Sequence, residues 1–180
     1  MTESGSYENY PLWIVLLSNA VSLSIYVLGF AIMFRLGWIV PMVYLVYILF
    51  LEFRLLSSHC PNCYYFGKAC GFGKGRISAL FFKKGDSSKF CAREMKWKDM
   101  IPDLLVSLIP FITAIVLLIV EFDFVTLTAL IVLTVLTTKG NELIRGKLVC
   151  AHCKQRELGC PALALFGNGE KKPVHGGELV

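Results

Sequence analysis

The chain has 180 residues, 56% of them hydrophobic, a formal net charge of +5 and a mean hydropathy of +0.63. A water-soluble domain of this length has nowhere to bury so much apolar surface. The apolar residues are also gathered into blocks rather than spread along the chain.

Trp13 to Phe34 is a run of 22 residues without a charge, and Leu36 to Leu51 gives 16 more before Glu52. Leu104 to Val120 gives 17 and Val125 to Thr138 gives 14, the last lengthened by Phe122 and Phe124 across Asp123. A helix needs roughly 20 residues, and at least about 17, to cross about 30 Å of hydrocarbon. The first and third runs meet that length alone. The second needs Phe53 to Leu56 and the fourth needs Phe122 to Phe124. The expected fold is all-α and integral to the membrane, with four transmembrane helices. The first run is too long for the apolar region of a signal peptide, follows acidic Glu3 and Glu8, and precedes three more spans, so it reads as a retained span. A soluble four-helix bundle is the alternative, but soluble helices carry a polar stripe and these runs carry none.

Positive charge gives the expected sidedness. Of eighteen Lys and Arg, ten lie between Arg54 and Lys98 and seven from Lys139 onward, which leaves Arg35 alone in the first short link. Both termini and the central loop are therefore expected on the cytoplasmic side. Trp13 and Trp97 fit the near interface and Trp38 the far one. The charge reports topology and gives no sign of nucleic-acid binding. It would attract anionic lipid headgroups at about 1 kcal/mol per basic residue near the surface. The stretch Gly75 to Asp86 reads as a short interfacial helix or a solvated loop.

The cysteines repeat. Cys60, Cys63 and Cys70 have the spacing C-x2-C-x6-C, and Cys150, Cys153 and Cys160 repeat it 90 positions later. Glu52 and Glu142 each precede their first cysteine by eight residues, and PLWIVLL from Pro11 resembles PDLLVSL from Pro102. The expected organisation is repeat 1 over residues 1–100, repeat 2 over 101–166 and a flexible tail over 167–180. Each repeat reads as a two-span hairpin followed by a cytoplasmic cysteine knuckle, the two hairpins in tandem having the parallel-repeat arrangement of some transporters.

Reduced cysteines on that side point to metal rather than disulfides. A C-x2-C turn brings two thiolates about one metal apart and aims backbone N–H groups at the sulfurs, and two turns supply the four ligands of tetrahedral zinc or a cubane cluster. In spacing, CPNCYYFGKAC and CAHCKQRELGC resemble the halves of the fungal binuclear zinc-cluster family. That resemblance implies six thiolates around two zinc ions. The family's short linker is here a long loop and two spans, so its DNA-binding role does not carry over. Two other ligand sets are open. Cys91 could complete the first knuckle, with His175 or His152 completing the second. Cys60, Cys63, Cys150 and Cys153 could instead form one four-thiolate site. His59 and His152 adjoin cysteines and are candidate ligands or plain neighbours. Zinc, one or two ions, is the expected cofactor, helped by the charges of Lys68, Lys154 and Arg156. An iron–sulfur cluster is the alternative, favoured by Cys60-Pro61 and Cys160-Pro161 and by a sheath of Tyr64, Tyr65 and Phe66.

Glu52 and Glu142 are candidates for an ion path, or simply pair with Arg54 or Arg145. Pro41 and Pro110 inside spans should kink them or free a carbonyl for a neighbouring helix. GKACGFGKG (Gly67 to Gly75) lacks the phosphate-loop spacing, because Lys68 stands where the first glycine belongs. Its glycines read as turn residues. No catalytic set stands out. The expected function is metal binding with a structural, docking or sensing role towards a cytoplasmic protein partner, with oligomerisation open. Membrane electron transfer through an iron–sulfur cluster, a thiol–disulfide oxidoreductase and a small transporter are the alternatives.

Overall fold

Twenty-three uncharged residues, Leu12–Phe34, form helix α1 in the computed structural model, which describes residues 5–86, 90 and 97–160. Pro11 precedes the helix, where its fixed φ suits an entry. After Arg35 the chain reverses through Gly37 at φ +115°, a left-handed conformation that glycine adopts without strain. Helix α2 spans Ile39–Ser58 and runs into a 3₁₀ turn at Cys60–Asn62. The short α3, Lys74–Phe81, covers part of the expected interfacial stretch. Helix α4 spans Trp97–Val120. Helix α5, Phe124–Val135, is capped by the Asp123 carboxylate, which accepts from the amides of Val125 and Thr126. It continues as a π-helical segment, Leu136–Val149, then a 3₁₀ turn at Cys150–His152 and the short α6, Lys154–Gly159. Among the described residues the only strand pairing is a single parallel bridge between Tyr7 and Cys153.

Four helical stretches are long and apolar enough to cross a membrane: Leu12–Phe34, Ile39–Asn62, Lys98–Val120 and Phe124–His152. At most 28% of the apolar window of any of them is buried. Leu23, Val46 and Ile119 point outward and are at least 62% exposed. Such an outer surface suits hydrocarbon rather than water. The first three stretches follow the apolar runs. The fourth extends well past Thr138, the expected end, into a segment carrying Lys139, Glu142, Arg145 and Lys147.

Helix α1 is the hub, packing on α2, α4, α5 and the π-helical segment. Its buried residues Ile14, Ser18, Val21, Ile25, Gly29 and Ile32 recur at three- and four-residue steps and form one face. Gly29 gives the Tyr44 ring room against α1, since any side chain there would overlap the phenol. The Tyr44 hydroxyl then donates to the Val106 carbonyl at 2.7 Å. That carbonyl is the one Pro110 frees, because proline has no N–H for the residue four before it. The buried Pro110 thus exposes an acceptor inside α4, and α2 supplies the donor. Tyr47 repeats the contact one turn away, donating to the Pro102 carbonyl at 2.8 Å. At the far end, Arg35 pairs with Asp123 at 3.1 Å and joins the two short links.

Candidate metal centre

The two C-x2-C turns have the same local hydrogen bonds. The Cys63 amide donates to the Cys60 carbonyl at 3.2 Å, and the Cys153 amide to the Cys150 carbonyl at 3.4 Å. The Phe66 amide donates to the Cys63 carbonyl at 3.1 Å, and the Arg156 amide to the Cys153 carbonyl at 3.0 Å. Each short 3₁₀ turn follows a helix that ends two residues or fewer before its first cysteine. Backbone amides face the sulfurs: Tyr65 at Cys63, Gln155 and Arg156 at Cys153, and Gly75 at Cys70 with N···S 3.4 Å.

The turns meet on one aromatic cluster. Tyr10, Ile14, Tyr65 and Val149 are buried together, with Cys63, Cys70 and Cys153 packed against them. Tyr65 is the joint. It is 2% exposed; its hydroxyl accepts from the Lys154 amide at 2.9 Å and donates to the Tyr7 carbonyl at 2.6 Å. The Gln155 side-chain oxygen accepts from the Tyr64 amide at 2.8 Å. The N-terminal segment clasps both turns: the Tyr7 amide donates to the His152 carbonyl, the Tyr10 hydroxyl to the Val149 carbonyl, and the Tyr10 amide to the Ala69 carbonyl.

Glycines let the loop after Cys63 fold back over its own turn, as expected. The Gly67 amide donates to the Gly75 carbonyl at 3.0 Å and Gly73 has φ +71°. Gly75 is buried against the Tyr65 and Lys68 carbonyls, leaving no room for a Cβ.

The thiols are electrostatic neighbours. Burial raises the Cys63 thiol to about 12; the Tyr65 amide opposes this, while Cys153, Cys70 and Cys60 add to it. Burial also raises Cys153, with Cys160 and Cys150 adding to the effect. All six repeat cysteines are reduced, and Cys150 is exposed. Among the described residues no three His, Cys, Asp or Glu side chains form a ready-made metal-holding group. Cys91 and His175 lie outside the described residues.

The other candidate residues have these surroundings. His152 packs on Tyr7, ring centroids 5.4 Å apart, and its Nδ1 lies 3.2 Å from the Leu148 carbonyl. The His59 amide donates to the Leu55 carbonyl. Lys68 and Lys154 serve the Tyr64 ring rather than the sulfurs, at 4.2 and 5.9 Å from its centroid, and Lys154 pairs with Glu8 at 3.3 Å. Glu52 pairs with Lys74 and accepts from the Tyr26 hydroxyl at 2.7 Å, whereas Arg54 donates to the Asp99 carbonyl and Arg145 to the Ser22 hydroxyl. Glu142 sits on the surface in an ion pair with Lys139 at 3.0 Å. The two glutamates match in sequence and differ in surroundings. The clasp residues Tyr7 and Tyr10 were not singled out by the sequence; their signal was the aromatic pair just before the first span.

No family model, curated protein or solved structure matches the chain, so its function is read from the chemistry of these residues.

Proposed function

We propose that the chain is a multi-pass membrane protein of two tandem hairpin repeats that binds zinc through Cys60, Cys63, Cys70, Cys150, Cys153 and Cys160. The observation that carries this reading is the joining of the two C-x2-C turns by Tyr65, whose hydroxyl bonds to the Lys154 amide beside Cys153 while Cys63 and Cys153 pack on the same cluster. Amides aimed at Cys63, Cys70 and Cys153 support it, since they stabilise thiolates. The matched hydrogen bonds of the two turns support the repeat.

No ready three-ligand group exists among the described residues, so ligation and local ordering occur together on binding. Zinc ligation contributes on the order of 10 kcal/mol. Here it would fix the ends of both hairpins and the N-terminal clasp as one platform for a cytoplasmic protein partner. The bias of basic residues supports a platform on the cytoplasmic face, beside anionic headgroups.

Elemental analysis of protein purified without chelator tests the reading. Zinc of about one to two ions per chain is expected, matching the ligand count, and a Cys63→Ser, Cys153→Ser double variant should lose it. Metal-free wild-type protein would end the proposal. Iron with visible charge-transfer absorbance would replace zinc by a cluster on the same thiols.

A further inference from the structure

A cavity of about 320 Å³ lies between α1, α2, α4 and the π-helical segment, at the cysteine end of the bundle. Its size is at the small end of ligand pockets. Glu52, Asp103, Lys74 and Arg145 supply its charged groups, with Tyr26 and Asn141, amid apolar walls.

Glu52 and Asp103 match Lys74 and Arg145 in formal charge, but the hydrogen bonds within the cavity are unevenly made. Both Glu52 oxygens are engaged, one by Lys74 and one by the Tyr26 hydroxyl. Arg145 forms no ion pair among the described residues. One of its terminal nitrogens donates to Ser22 at 2.8 Å and its guanidinium lies over the Phe72 ring at 5.2 Å. Its Nε is buried without an acceptor. Asn141 is one helical turn earlier on the same wall. Its amide nitrogen donates to the Thr137 carbonyl at 3.1 Å, which fixes the flip, and its buried Oδ1 has no donor. Each unmade buried hydrogen bond is costly, the more so on a charged guanidinium. Arg145 Nε asks for an anionic acceptor and Asn141 Oδ1 for a hydroxyl or N–H donor.

We propose that this cavity binds a phosphate group that carries or adjoins a hydroxyl. The phosphate sits on Arg145, whose planar fork suits an oxyanion, and the hydroxyl donates to Asn141 Oδ1. Two sources share this chemistry: a free glycerol-phosphate-like molecule and the glycerol headgroup of a phospholipid entering from the bilayer.

The test uses the full chain in a phosphate-free, lipid-depleted detergent solution and follows its thermal midpoint. The probes are glycerol 3-phosphate and a short-chain phosphatidylglycerol. At about a hundredfold excess over Kd, a rise of about 5 °C or more is expected for a chain of this length. A rise with glycerol 3-phosphate assigns a free ligand, and a rise with the lipid alone assigns a headgroup. No rise with either overturns the proposal. So does a rise that persists undiminished in Arg145→Gln. Should that variant not fold, phenylglyoxal labelling of the wild-type chain, read at Arg145 by peptide mass spectrometry, decides. Protection by the active probe is expected, and labelling at an unchanged rate refutes the site.

Discussion

Removing the Tyr65 hydroxyl tests how the two cysteine turns are held together. Tyr65→Phe leaves the buried ring in place and takes away one donor and one acceptor. The Tyr7 carbonyl and the Lys154 amide then lose their partners, formerly at 2.6 and 2.9 Å. A buried unmade hydrogen bond costs about 1–3 kcal/mol, and both partner residues are partly exposed, so the lower figure applies to each, about 2 kcal/mol together. For a chain of this size that is a fall of about 4–8 °C in thermal midpoint. Tyr64→Phe is the internal control, because among the described residues the Tyr64 hydroxyl bonds to Lys68 and Glu8 near the surface. Its shift should stay within about 0.5 kcal/mol. The assay is tryptophan fluorescence on heating in detergent, with the alkylation rate of Cys153 followed in parallel. Tyr65→Phe should speed that alkylation and Tyr64→Phe should not. Equal midpoints for the two variants would refute the view that Tyr65 joins the turns.

Tyr44→Phe should cost about 1 kcal/mol by stranding the Val106 carbonyl. In a Pro110→Ala background, where position 110 regains its N–H, the same change should cost close to nothing; equal costs in a double-mutant cycle would reject the pairing. Glu52→Gln should destabilise by about 2 kcal/mol, since it weakens the contacts to Lys74 and Tyr26, while Glu142→Gln should melt like the wild type because its ion pair is exposed. Burial works against the Asp123 charge, but the Thr126 and Val125 amides, the Thr126 hydroxyl and Arg35 outweigh it and hold the carboxyl below the usual range. Its contribution is therefore complete above the unfolded value of about 4 and is lost as pH falls through the lower folded value; Asp123→Asn should flatten that acid limb of the melting curve, and an unchanged limb would count against the cap.

The spans were legible because lipid-facing helices need unbroken apolar runs; the first and third ended where those runs did, and the second ran on from Leu56 to Ser58 and the turn after it. The fourth was cut short at Thr138 because the next residues along the chain are polar. They continue the helix because Thr137, Asn141 and Arg145, at intervals of four, face the cavity rather than lipid. The same segment explains the unequal glutamates. Equal spacing to a cysteine predicts equal surroundings only when both helices turn alike, and a change from i+4 to i+5 bonding rotates every later residue about the helix axis. Cysteine spacing disclosed both turns. Their joint was hidden, because a tyrosine beside a span reads as an interfacial aromatic until its hydrogen-bond partners are known. Pro110 was legible in chemistry, a freed carbonyl, though the sequence did not name Tyr44 as its donor.

The N-terminal clasp also imposes an order on biogenesis. Tyr7 and Tyr10 leave the ribosome well before their partners at Val149 and His152, which are among the last of the described residues to be made. Four helical stretches long and apolar enough to cross a membrane are made by the time those partners arrive. The clasp can therefore close only after all four of these helices have been made, and its closure marks their assembly. A bulky fusion at the amino terminus would leave insertion intact and obstruct that final step.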